Sequence, residues 1–262
     1  MEKQSLFHYI KKRIKEEKII TIILAIYAIF TLTSSIYSFC INELRNGLLS
    51  LLFFSFIFLF YLVEYLFKIK LVPMFVIMIG FIASGALLGT CYNFYHLIPS
   101  LDTILHGVAG IVFACLGYTL MQLFIGKSTS KKTFFACLFF GVTFSLTIAL
   151  VWEVFEYTIT CTLGFDMMED SIVTDFNSYY LSGDHSRNFW VNDITSTYIF
   201  YGDNEFVNIN GYLDLGLVDT LHDMIICLIG SLIFMVLTIL SWFKFPKINK
   251  LLLPTINEKR SE

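Results

Sequence analysis

Residues 19–39 read IITIILAIYAIFTLTSSIYSF, a run of twenty-one positions with no charged side chain. A helix needs about 20 predominantly apolar residues to cross the roughly 30 Å hydrocarbon layer of a bilayer, so this run is long enough to span. The basic leader Lys11-Lys12-Arg13-Ile14-Lys15 precedes it. A secretory signal has a shorter apolar core, about 7–15 residues, followed by a small-residue cleavage site. No such site follows here, and Cys40 is preceded by Phe39, a poor match to a lipoprotein signal. The run is therefore expected to be an uncleaved first span.

Five further runs of spanning length follow, at about Leu48–Phe67, Leu71–Cys91, Thr103–Ile125, Thr133–Thr160 and Leu217–Phe243. The fifth of the six is long enough to tilt or extend past the bilayer. Composition agrees. Hydrophobic residues make up 56% of the 262 positions and charged residues 15%, against about 25% charged in an ordinary soluble domain. So few charges cannot cover a soluble exterior, so the expected partner is the lipid bilayer. No basic face stands out for nucleic acid. The expected fold is an all-α membrane protein, a six-transmembrane-helix bundle.

Basic residues orient it. With the N-terminus inside, sixteen of the 18 Lys and Arg fall on inner segments and only Arg45 and Arg187 fall outside. The positive-inside rule then places both termini in the cytoplasm. The expected layout is a basic N-terminus at 1–18, five spans within 19–160, an extracytoplasmic loop at 161–216, the sixth span at 217–243 and a basic tail at 244–262. The N-terminal charges would orient the chain and meet anionic lipid. The 161–216 loop carries nine acids, one Arg and many aromatics. Thr197–Tyr201 and Glu205–Ile209 have strand composition around a Gly202-Asp203-Asn204 turn, so a hairpin is expected there. A loop of this length is expected to form a small cap or lid.

Ionisable residues at the span ends carry the functional signal. The fourth span opens Asp102-Thr-Ile-Leu-His106, the fifth ends Trp152-Glu153-Val-Phe-Glu156, and the sixth opens Asp219-Thr-Leu-His222-Asp223. Spacings of three and four place each set on one helix face. The topology puts all three stripes on the outer side, where Asp102, His106, Glu153, Glu156, Asp219, Asp223 and the weaker candidate His222 would converge if the helices are neighbours. Acids inside a membrane are costly, about 2.5–3.5 kcal/mol for Asp at a span centre, and face cavities or partners. Bound cations, shared protons or water would relieve their repulsion. Oxygen ligands suit Mg, Ca or Mn, and an added His admits Zn or Fe. The alternative is a structural polar network. Asp102 and Asp219 begin helices, where the dipole favours acids without any function, and Glu153 and Glu156 could sit among headgroups. Neither HExxH nor the ExxH pairing of di-iron bundles is present.

Other residues read as structural. Glu64 lies four residues before Lys68, the spacing of a helix ion pair. Gly85, Gly89, Gly107 and Gly110 suit close helix packing. Asn93 and Tyr95 could line the acidic pocket, although an interfacial aromatic belt explains the tyrosine equally well. His8 and His185 lie in polar, solvated segments. Cys115, Cys137 and Cys227 lie in apolar runs as small apolar residues, and spacing alone does not establish a Cys91–Cys161 disulfide. No nucleophile motif, phosphate loop or Rossmann fingerprint appears.

The string Gly89-Thr-Cys-Tyr-Asn93-Phe-Tyr95 runs into Ile98-Pro-Ser-Leu-Asp102-Thr-Ile-Leu-His106-Gly-Val-Ala-Gly110. Together with Trp152-Glu153-Val-Phe-Glu156 and Gly216-Leu-Val-Asp219-Thr220-Leu-His-Asp223, it resembles the YjdF-like bacterial inner-membrane proteins over roughly residues 60–240. Asp102, His106, Gly110, Trp152, Glu153, Glu156, Asp219 and Asp223 fall on that family's pattern, whereas His222 occupies a variable position. The resemblance implies a polytopic protein of a bacterial cytoplasmic membrane and carries no activity with it. Three functions fit the residues. The first is a metal-dependent hydrolase or transferase acting on a lipid or envelope substrate, with a divalent metal as cofactor. The second is a cation- or proton-linked transporter or channel. The third is a non-catalytic membrane partner or sensor. One-sided acids and the lack of a repeat weigh against a transporter, whose sites lie near mid-membrane.

Overall fold

The computed structural model describes residues 5–126 and 130–256. Lys3, Lys127, Lys259 and Arg260, four of the basic residues that orient the chain, lie outside the described residues. The chain divides into two compact units. One is Met1–Ala149 with Met224–Glu262, and the other is Leu150–Asp223.

The first unit begins with an amphipathic helix, α1 (Leu6–Glu16), whose first turn is capped by Ser5 as it accepts the His8 N–H at 3.3 Å. Glu17 leaves helical geometry at φ −120°, ψ 76° and separates α1 from α2 (Lys18–Cys40). Next come α3 (Leu44–Phe67), a two-residue strand β1 (Ile69–Lys70) and α4 (Pro73–Tyr92). Pro73 opens α4, where a missing N–H costs nothing. A single turn, α5 (Phe94–Leu97), leads to α6 (Leu101–Ile125) and then α7 (Lys131–Leu163). Of these helices, α2, α3, α4, α6 and α7 are long and apolar enough to cross a membrane.

Polar side chains join the helices within the apolar layer. Ser34 lies 2.7 Å from the hydroxyls of both Ser50 and Tyr92, linking α2, α3 and α4. Ser35 donates to the Gly47 carbonyl at 3.0 Å, and Tyr27 to the Phe53 carbonyl at 2.9 Å. Such bonds matter in lipid, where water cannot satisfy a hydroxyl. The buried core gathers Phe60, Phe75, Leu87, Tyr118, Phe134, Leu138 and Phe234. Exposed Ile, Leu and Phe side chains line the outward faces of the long helices, as expected where lipid is the solvent.

One expected contact is corrected. Glu64 does not pair with Lys68. Lys68 caps α3 in the left-handed conformation, φ 53°, and so leaves the helix face on which an i,i+4 pair would form. Glu64 instead meets Arg13 of α1, fifty-one positions earlier, through two hydrogen bonds of 2.9 and 2.8 Å. The Tyr9 hydroxyl donates to the same carboxylate at 2.9 Å and the Leu71 N–H at 2.7 Å. Arg13 also donates to the Leu71 carbonyl at 2.9 Å. Arg13 and Glu64 are 3% and 1% exposed. Burial alone would lower the Arg13 pKa, but the hydrogen bonds and charge of Glu64 outweigh it and hold the guanidinium above its ordinary value. Burial first, and then Glu64, pushes the Tyr9 phenol up, so it stays a donor.

The second unit is built of short antiparallel pairs. Strand β2 (Ser171–Val173) pairs with β7 (Tyr212–Asp214), β3 (Phe176–Ser178) with β4 (Phe189–Val191), and β5 (Thr197–Tyr201) with β6 (Glu205–Ile209). The last pair is the expected hairpin, with Tyr201 opposite Glu205 across the turn. Gly202 and Asn204 take positive φ there, the backbone that tight hairpin turns demand. The Thr197 hydroxyl ties the hairpin to the Gly211 carbonyl at 2.6 Å.

The chain then enters α8 (Leu217–Phe243), the sixth helix of spanning length. It ends in α9 (Lys247–Leu252) and β8 (Thr255–Ile256), which pairs antiparallel with β1. The Cys115 thiol donates to the Leu252 carbonyl at 3.3 Å. All six cysteines are free thiols. The architecture is an all-α membrane fold with minor two-stranded sheets.

Candidate functional site

Glycine sets the backbone spacing next to the acidic stripes. A Cβ on Gly110 would strike the backbone carbonyl of Cys227, and one on Gly230 the carbonyl of Gly107, so α6 and α8 approach backbone to backbone. On the α7 side, a Cβ on Gly141 would lie 2.6 Å from the Ala114 carbonyl oxygen. Ser145 donates to the Gly110 carbonyl at 3.1 Å and lies 3.6 Å from the Cys227 sulfur. Gly85 and Gly89 serve the same end, admitting the side chains of Leu105 and Tyr95. Tyr95 is thus a packing residue against α4. Small residues at such positions let helices associate without a hydrophobic drive between them.

In the first unit, Asp102 and His106 are brought together. Asp102 occupies the first turn of α6, where the helix dipole favours an acid. His106 follows one turn later, with its Nε2 3.7 Å from the Asp102 carboxylate and both side chains mostly withdrawn from the surface.

In the second unit, the end of α7 has an inverted pattern. Val151, Trp152, Val154, Phe155 and Tyr157 are exposed, while Glu153 and Glu156 are buried at 4% and 9% exposure. The Trp152 and Phe155 rings lie side by side at 5.4 Å on the outward face. A soluble helix would bury those rings and expose the acids. Here the three-residue spacing keeps both carboxylates on the inward stripe.

The start of α8 repeats the theme. Asp223 is 2% exposed, whereas its neighbours Leu221 and His222 are exposed. Asp223, Cys227 and Gly230 are spaced by four and three, one face of the helix, and all three are buried. Asp219 begins that face and has a visible structural task, since its Oδ2 accepts the Glu169 N–H at 3.0 Å. Asp214 accepts the Val218 N–H at 2.8 Å and satisfies a donor in the first turn. His222 lies half exposed, its Nδ1 3.7 Å from the Asp223 carboxylate, and is off the buried stripe. Among the loop acids, burial and then the charges of Asp166 and Asp214 raise the Asp170 pKa.

The candidate residues are five carboxylates and one imidazole, two in the first unit and four in the second. Carboxylate oxygens suit Mg, Ca or Mn, and an imidazole nitrogen suits Zn or Fe. The polar residues that the spacing rules overlooked are Arg13 and Tyr9, which bind Glu64. Their partner lies in a different helix, so no local pattern could mark them.

The family model described as a predicted membrane protein (DUF2238) matches residues 19–243. No curated protein and no solved structure is significantly similar to the chain. The match runs from the start of the first spanning helix to the end of the sixth and takes in the acidic stripes of α6, α7 and α8, so the chain belongs to this predicted membrane protein family, the YjdF-like family.

Proposed function

We propose that this membrane protein is a membrane-embedded metal-dependent enzyme, a hydrolase or transferase acting on a lipid or envelope substrate at the outer leaflet. Asp102, His106, Glu153, Glu156, Asp219 and Asp223 are its metal ligands and acid–base groups. Residues 161–216 form a lid over them on the outer face, and both termini lie in the cytoplasm of a bacterial cell. The distribution of Lys and Arg supports that orientation.

One observation carries the reading: the end of α7 buries its two carboxylates and turns its aromatic and aliphatic side chains outward. Withdrawing like-charged acids costs several kcal/mol in total, and nothing in helix propensity offsets that cost. A divalent cation does offset it, and it also lowers the pKa of a bound water toward about 7, making a nucleophile. The Asp102–His106 contact supports the same reading, since an oriented imidazole is ready as ligand or proton carrier. Asp219 also accepts the Glu169 N–H, so it has a structural task beside the proposed one.

Elemental analysis of the purified protein tests this. The expected result is about one divalent transition ion per chain (or two, if the carboxylates bridge). Metal content should drop sharply in Glu153→Gln and Asp223→Asn variants that remain folded. Wild-type protein without stoichiometric metal, purified with no chelator, would overturn the metalloenzyme.

A further inference from the structure

The N-terminal helix α1 has two faces with different partners. Tyr9 and Arg13, four residues apart, face inward and bind Glu64. Phe7, Lys11, Ile14 and Lys15 are spaced by four, three and one, which puts them together on another face of the helix. All four are exposed, Phe7 at 66% and Ile14 at 42%. The Lys11 ammonium lies 4.5 Å from the Phe7 ring centroid. Lys18, also exposed, begins α2 two residues after the last residue of α1.

The acids of this segment are already engaged. Glu16 pairs with Lys70 at 3.3 Å and Lys12 at 3.8 Å, and Glu17 with Arg13 at 3.1 Å. Among the described residues, the outward stripe therefore keeps an uncompensated positive charge, interleaved with apolar side chains. A single residue, Glu17, separates α1 from a spanning helix, so the stripe is tethered at the height of the lipid headgroups. Apolar residues that enter the acyl boundary, flanked by lysines that reach phosphates, are the chemistry of an interfacial helix.

We propose that α1 binds anionic phospholipid through the stripe of Phe7, Lys11, Ile14, Lys15 and Lys18, while the Arg13–Glu64 pair fixes which face it presents. The partner is the lipid surface on the N-terminal side of the membrane. Arg13 is spent on Glu64, so the cations of the lipid site are lysines alone, flexible point charges suited to mobile headgroups.

The test uses the full chain reconstituted in phosphatidylcholine vesicles containing spin-labelled phosphatidylglycerol or spin-labelled phosphatidylcholine, with the motionally restricted fraction of each compared by electron paramagnetic resonance. Wild type should prefer phosphatidylglycerol by about threefold or more. The variant Lys11→Gln/Lys15→Gln/Lys18→Gln should lose most of that preference, and a control of equal charge, Lys244→Gln/Lys247→Gln/Lys250→Gln, should keep it. A triple variant with the wild-type preference, or a control that loses just as much, would overturn the proposal. Should the triple variant fail to reconstitute, hydrogen exchange on wild type decides. Amides of residues 6–16 should exchange more slowly in phosphatidylglycerol vesicles than in phosphatidylcholine, and equal exchange contradicts the assignment.

Discussion

Glu64 and Glu153 are both carboxylates in long apolar helices, and both are nearly sealed from the surface, at 1% and 4% exposure. Their settings differ. Around Glu64 stand a guanidinium, a phenol and a backbone N–H, and each carboxylate oxygen receives two of those bonds. Glu153 belongs to a stripe with Glu156, on helices whose other buried or half-buried carboxylates and imidazole are Asp102, His106, Asp219 and Asp223. One set is balanced in sign and tied by geometry. The other is acidic apart from one imidazole. The first set is charge that holds the fold, and the second is the charge that we propose serves a cation.

The largest effect should come from the balanced set. Glu64→Gln leaves the buried Arg13 with only the part-exposed Glu17 as counter-charge and should cost about 3–5 kcal/mol, read as a fall in the unfolding midpoint in detergent. Replacing both partners, Arg13→Met with Glu64→Leu, should recover most of that loss, because a buried pair is often no better than an apolar one of similar volume. A double variant as damaged as the single would break the comparison at its structural half.

The acidic stripes should respond with the opposite sign. Glu153→Gln and Asp223→Asn remove repulsion without changing shape, so each should leave the metal-free protein as stable as wild type or more stable by about 0.5–2 kcal/mol, the usual gain when a functional site is neutralised. Equilibrium unfolding in the presence of chelator measures this. A loss as large as that of Glu64→Gln would place these acids among the structural charges.

The smallest effect is in the loop. The Asp184 carboxylate accepts the Ser186 N–H at 3.0 Å and the Ser182 hydroxyl at 3.2 Å, and the Ser186 backbone bond, the largest cause, lowers its pKa. A lowered folded pKa means the stabilisation is full above the unfolded value and is lost as pH falls through the folded one. Exchange of the Ser186 amide should therefore quicken only in acid, below the ordinary Asp range, and Asp184→Asn should flatten that dependence.

Much of the fold was legible because apolar length is a strong signal. The six spanning helices lie within a few residues of the apolar runs, and the sixth starts and stops where its run does. The β5–β6 hairpin was legible from β-rich composition around Gly202-Asp203-Asn204. The stripes were legible as spacing, and their burial at Glu153, Glu156 and Asp223 followed it. What escaped was non-local. The i,i+4 rule points Glu64 to Lys68, but the left-handed cap at Lys68 removes that neighbour and Arg13 takes its place. The break at Glu17 has neither Gly nor Pro to announce it, so the basic N-terminus at 1–18 gave no sign of a separate helix α1. The pairing of β1 with β8 joins Ile69 to Ile256, a contact that only the packed termini can specify.

The central claim is that the acidic stripes exist for a cation, and the thermal midpoint of the purified chain tests it most directly. A ligand that binds only the folded state raises stability by RT ln(1 + [L]/Kd), about 2.7 kcal/mol at a hundredfold excess over Kd. Stripping the protein with chelator should lower the midpoint, returning Mn²⁺ or Zn²⁺ should restore it, and the Glu153→Gln variant should respond to neither. A wild-type midpoint indifferent to both chelator and cation would contradict the account.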